Sequence, residues 1–126
     1  MANEIWCNYG TGADLYAIIR LKSDATVYNG ATFETWDDGN IGDYDIALTE
    51  QGNGFYSADF PEIDADTYYV TIYVMAGAIP AVGDRVIYNG KLEWDGTEEY
   101  TLTMIYNKVS DVLVAVQTQQ LYIYNE

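Results

Sequence analysis

Four aspartates, Asp37, Asp38, Asp43 and Asp45, crowd into one short stretch around Asn40. Loops that offer oxygen ligands in this way are what Ca²⁺ requires. A second acidic group, Glu62, Asp64 and Asp66, alternates through the segment PEIDAD. Neither spacing follows the EF-hand loop, and no glutamate closes the first group as a bidentate ligand. Both groups are therefore expected to be solvated loop acids with no metal. Paired carboxylates also serve glycosidases as acid and base, but nothing in the sequence lifts one pKa above the others. The chain has no histidine, which removes the commonest general base and every His-activated nucleophile. Its single cysteine, Cys7, has no Lys or Arg near it in sequence to stabilise a thiolate, and no second cysteine to pair with. These observations predict a protein that is not an enzyme, with no catalytic residue and no cofactor.

Aromatic residues carry the remaining binding potential. The chain has 13 Tyr, 3 Trp and 3 Phe, and alternation puts Tyr69 and Tyr73 on the polar side of their strand. With Trp6, they are candidates for stacking on sugar rings or filling a protein interface. Tyr9, Trp36 and Tyr88 lie near expected edges or loops, with Trp36 and Trp94 expected in the core. The balance of 20 acidic against 5 basic residues gives a net charge of −15. Such a surface repels phosphate backbones and anionic lipid, so neither nucleic acid nor membrane is an expected partner. The opening MANEIWCNYG lacks a basic n-region and a long apolar core, which predicts no secretory signal peptide.

The elements that position these residues read as short strands separated by turn clusters. Strand signals fall at LYAIIRL (15–21), VYNGATF (27–33), DYDIALTE (43–50), FYSADF (55–60), TYYVTIYVM (67–75) and RVIYNGKLEW (85–94). Tyr44, Ile46 and Leu48 are expected on one face, and so are Tyr56, Ala58 and Phe60. The turn Gln51-Gly52-Asn53-Gly54 makes the clearest hairpin. The pairs Asn29-Gly30 and Asn89-Gly90 predict turns with positive φ at each glycine. About seven short strands with no internal helix predict an all-β, Ig-like β-sandwich over residues 1–100.

The stretch from about residue 5 to 96 resembles a small Ig-like β-sandwich domain family found in tailed phages, prophages and environmental bacteria. The marks are Trp36 before an acidic loop, Tyr44-x-Ile46-x-Leu48, Gly54-x-Tyr56-x-Ala58-x-Phe60-Pro61, the Tyr68-to-Val74 strand, Pro80-x-x-Gly83-Asp84 and Trp94-Asp95-Gly96. All are packing or turn positions. In that family the Trp-Asp-Gly end is often followed by a coiled-coil extension, as in fibre proteins. The resemblance implies a structural role at a virion or extracellular surface, and carries no active-site residues.

Residues 101–126 are expected to be a C-terminal oligomerisation tail. Leu102, Val109, Val116 and Ile123 fall at one seam position of a heptad, and Ile105, Val112 and Gln119 at the other. β-branched residues at both seams favour three strands over two. The alternation of Val112, Val114 and Val116 supports an exchanged strand as the second choice. The expected function is a self-associating protomer, trimeric by first choice, of a virion accessory fibre, decoration or tail-associated structure, or of an extracellular filament. Other virion or surface proteins or glycans are further expected partners. A carbohydrate- or surface-binding module is the alternative.

Overall fold

A computed structural model describes residues 3–100 together with Val109, Ser110, Val112 and Leu113. Within residues 3–100, nine strands and one short helix run in the order β1 (Ile5–Asn8), β2 (Leu15–Leu21), β3 (Val27–Tyr28), β4 (Phe33–Glu34), α1 (Ile41–Tyr44), β5 (Ile46–Ala47), β6 (Thr49–Gly52), β7 (Phe55–Ala58), β8 (Asp66–Val74) and β9 (Arg85–Trp94). They form two antiparallel sheets. One has the order β1-β7-β6, and the other β4-β3-β2-β8-β9, with β5 also pairing β2. The sheets face each other over one core built from both: Ile5, Cys7 and Tyr56 from the first, Ala17, Ile19, Val70, Ile72 and Trp94 from the second. The all-β sandwich expected from the sequence is what the chain forms.

The strand β2 is buried on both faces. Leu15, Ala17 and Ile19 point into the inter-sheet core, while Tyr16 and Ile18 join a second cluster with Val27 and Tyr44. This accounts for the unbroken apolar run LYAII, because a strand covered on both sides has no need to alternate. The cover is the segment 36–44. Trp36 and Ile41 pack on the second cluster, and Trp36 lies 4.9 Å from Tyr44, centroid to centroid. Expected as a plain loop, this segment instead forms a 3₁₀ turn at Asp38–Asn40 that runs into α1.

The run DYDIALTE is likewise not one strand. After β5 pairs with β2, the Leu48 amide donates to the Leu15 carbonyl at 3.0 Å, and β6 then crosses to pair with β7 in the other sheet. Tyr44, Ile46 and Leu48 therefore do not share a face. Tyr44 lies in the outer cluster, whereas Leu48 lies in the main core with Ile46 packed against it. Together with the two-strand hairpin made from VYNGATF and the added β1, this split raises the count to nine among the described residues.

The β6–β7 hairpin forms as expected, with Gly52, Asn53 and Gly54 all at positive φ. Asn29-Gly30 also behaves as expected: Gly30 has φ 96°, and Asn29 Oδ1 accepts from the Ala31 and Thr32 amides. Asn89-Gly90 does not. Both residues lie within the continuous strand β9, Gly90 is not among the positive-φ residues, and the strand's irregularity is a bulge near Ile87. Nine consecutive residues of β8 offer partners there, so the ladder overrides the local turn preference.

Candidate functional site

The acids hold the fold together. Asp37 Oδ1 accepts from the Gly39 amide and caps the 3₁₀ turn, and Asp38 Oδ1 accepts from Trp36 Nε1 at 2.6 Å. No group of three or more His, Cys, Asp or Glu among the described residues is arranged to hold a metal ion. The residues that composition singled out least are the busiest. Glu34 Oε1 accepts from Asn29 Nδ2 at 2.7 Å, and its Oε2 accepts from the Tyr44 hydroxyl and from Asn40 Nδ2. Glu50 accepts from the Gly12 and Gly54 amides, clasping the N-terminal turn to the β6–β7 hairpin. Asp84 accepts from the Tyr16 hydroxyl at 2.7 Å and from the Ala81 and Ala76 amides. Each of these bonds favours the ionised form, so all three carboxyls titrate below their ordinary range. Gly12 and Tyr16 are distant in sequence from Glu50 and Asp84, whereas the partners of Glu34 lie within ten residues of it, and no sequence motif marks any of the three acids.

Cys7 is buried on the inner face of β1, and burial pushes its thiol pKa up. A thiol in this setting is a packing group and a poor nucleophile. Glu99 also titrates above its ordinary value, through burial and then the charge of Glu4.

The three candidate surface aromatics do not form one site. Trp6 stands on the outer face of the smaller sheet, 53% exposed and stacked on Phe55 at 5.9 Å. Tyr69 is on the outer face of the larger sheet, on the opposite side of the molecule, and is 39% exposed. Tyr73 is half-buried and stacked on Tyr16 at 5.3 Å, which places its ring in the outer cluster. Trp36 is half-buried beneath the Arg20 guanidinium, 4.6 Å from the ring centroid, while Trp94 is fully buried and donates to the Ile63 carbonyl. Tyr88 is exposed on β9, the last strand in the order of its sheet among the described residues.

Comparison of the chain with models of protein families, with curated proteins and with solved structures finds no match.

After β9 the chain makes a turn. Asp95 Oδ1 accepts from the Thr97 and Glu98 amides, and the Tyr100 amide then donates back to the Glu93 carbonyl of β9. Of the tail seam, Val109 and Val112 are described, while Leu102, Ile105, Val116 and Ile123 lie outside the described residues. Val109, Ser110, Val112 and Leu113 are helical, and the three apolar residues among them are 55–64% exposed. No helix among the described residues is long and apolar enough to cross a membrane.

Proposed function

We propose that this protein is a non-enzymatic structural protomer, an Ig-like sandwich that self-associates through residues 101–126. Its place is a virion accessory structure, whether fibre, decoration or tail-associated, or an extracellular filament. The observation that carries this reading is the helical, exposed set Val109, Val112 and Leu113. Residues three and four apart lie on one stripe of a helix, and an apolar stripe left in water favours a partner. The stripe is also low in charge: beyond residue 104 only Lys108, Asp111 and Glu126 are charged. Copies can meet there with little of the repulsion that a chain of −15 would otherwise impose. The β-branched seam makes three copies the favoured number.

Sedimentation of the full-length chain beside a Val112→Asp variant tests this. The parent is expected to sediment as an oligomer and the variant as a folded monomer, because a charge at each seam position would be buried without a partner. A monomeric parent would sink the assembly reading. The second reading, a surface-binding module, draws on the open face around Trp6 and Phe55. Binding to a glycan array that is lost in Trp6→Ala would favour it.

A further inference from the structure

One end of the sandwich, where β2, the β3–β4 hairpin and the segment 61–66 meet, holds a cavity of about 320 Å³. One wall is aromatic. Tyr28 and Phe33 sit 5.4 Å apart between ring centroids, and Phe33 stacks on Tyr68 at 5.7 Å with planes 19° apart. Tyr68 is anchored twice, by packing on Phe60 and by a hydrogen bond from its hydroxyl to the Asp64 carbonyl. Tyr68, on which Phe33 stacks, is therefore held in place before any ligand arrives. The facing rim carries Glu62, Asp64 and Asp66, and among the described residues no Lys or Arg lines the cavity. The rim charge reaches the rings: after burial, Asp66 and then Asp64 push the Tyr68 hydroxyl's pKa up.

These two walls select one kind of guest. An aromatic face attracts a cation held within about 6 Å of its centroid. Carboxylates around an apolar floor add Coulombic attraction and focus it into the concavity. An anion is repelled there, and an uncharged apolar guest gains nothing from the rim while stripping water from it. We propose that this cavity binds an alkylammonium or alkylguanidinium group, whose stem lies on Phe33 and Tyr28 while its charge faces Asp64 and Glu62. Two sources share that chemistry, a Lys or Arg side chain of a protein partner and a free polyamine. The site is independent of the self-association reading.

Amide-resolved NMR of the full-length chain decides it. The probes are blocked lysine, blocked arginine and spermidine, with blocked norleucine and methyl glucoside as uncharged comparators. Saturable shifts of the Thr32, Phe33, Ile63 and Tyr68 amides are expected with the cations alone, weakening as salt rises from about 20 to about 300 mM. Asp64→Asn keeps the backbone carbonyl that holds Tyr68, and Tyr28→Leu keeps the carboxylates. Each is expected to weaken binding at least about fivefold while preserving the parent's spectral dispersion. Tighter binding of the blocked amino acids would identify a protein side chain as the guest, and tighter binding of spermidine a free polyamine. The proposal is overturned if an uncharged comparator shifts the same amides equally. It also fails if no cation saturates them by about 10 mM, or if Asp64→Asn binds like the parent.

Discussion

The Tyr44 hydroxyl donates a 2.7 Å hydrogen bond to Glu34 Oε2, tying the end of α1 to β4 across ten residues of acidic chain. The same hydroxyl accepts from the Asp37 amide. Together with the packing of Trp36 and Ile41, this contact holds a Gly- and Asp-rich segment as a lid over β2, where Tyr16 and Ile18 are as buried as the inter-sheet core.

That lid gives a first expectation. Ile18 is 2% exposed although it faces away from the other sheet. Ile18→Ala should therefore cost about 2–5 kcal/mol, comparable to Ile72→Ala in the main core. Urea denaturation of both variants beside the parent measures this. A loss of only about 0.5 kcal/mol for Ile18→Ala, as at a solvent-facing site, would contradict the two-sided burial.

Acid should destabilise the fold through three carboxylates. Glu34 is held down by Asn29, Tyr44 and Asn40, Glu50 by the Gly12 and Gly54 amides, and Asp84 by Tyr16 and the Ala81 amide. Their folded pKa values lie below the ordinary 4.5 of Glu and 3.8 of Asp, so the unfolded chain takes up protons first as pH falls. The stability they give is full above those ordinary values and is lost as pH drops through the folded ones. The urea midpoint should fall on that limb, and a Glu34→Gln, Glu50→Gln double variant should show a shallower fall from a lower start.

Alkali should act with the opposite sign. Tyr16 is raised by burial and then by its bond to Asp84, and Tyr44 by burial and then by Glu34. The unfolded chain loses these protons near the ordinary 10.0, before the folded chain does, so stability declines as pH rises above that value. Tyrosinate absorbance should appear for these residues together with unfolding, not ahead of it. A smooth titration of all tyrosines in the still-folded protein would contradict this.

Two glycines should respond differently to alanine. Gly54 has φ 80°, and a Cβ there would run into the Tyr9 carbonyl oxygen, whose own residue donates its amide back to Gly54. Gly54→Ala is expected to cost roughly 1–3 kcal/mol. At Gly90 the added atom would meet the Tyr88 hydroxyl, the far end of an exposed side chain that can swing aside. Gly90→Ala should stay within about 1 kcal/mol of the parent. Thermal melts of the pair suffice, and equal effects would refute the distinction.

Cys7 should react with a thiol reagent only when the sandwich opens. It lies on the inner face of β1 opposite Tyr56, and its thiol pKa is raised by burial. Labelling should follow the unfolding transition across a urea series. Fast labelling of the native chain would mean that β1 is not held as described.

The sequence alone was sufficient for the class of fold and for much of its inner face. Alternation in FYSADF and TYYVTIYVM put Tyr56, Phe60, Tyr68, Val70 and Ile72 in the core, because a pleated strand offers every second residue to one side. Gly52 to Gly54 and Gly30 were legible as turns because positive φ is a local property of the residue. What only the tertiary structure decided depends on partners in other elements of the fold. Gly90 gave up its turn to a ladder with β8, and DYDIALTE was divided between two sheets, because β2 and β7 each offered it hydrogen bonds. Glu34, Glu50 and Asp84 looked like any of the 20 acids until folding brought amides and hydroxyls to them. The cavity of Tyr28, Phe33 and Tyr68 beside Glu62, Asp64 and Asp66 joins a hairpin, a loop and a strand. Periodicity reports which side a residue faces within its own element, and only packing between elements decides what it meets there.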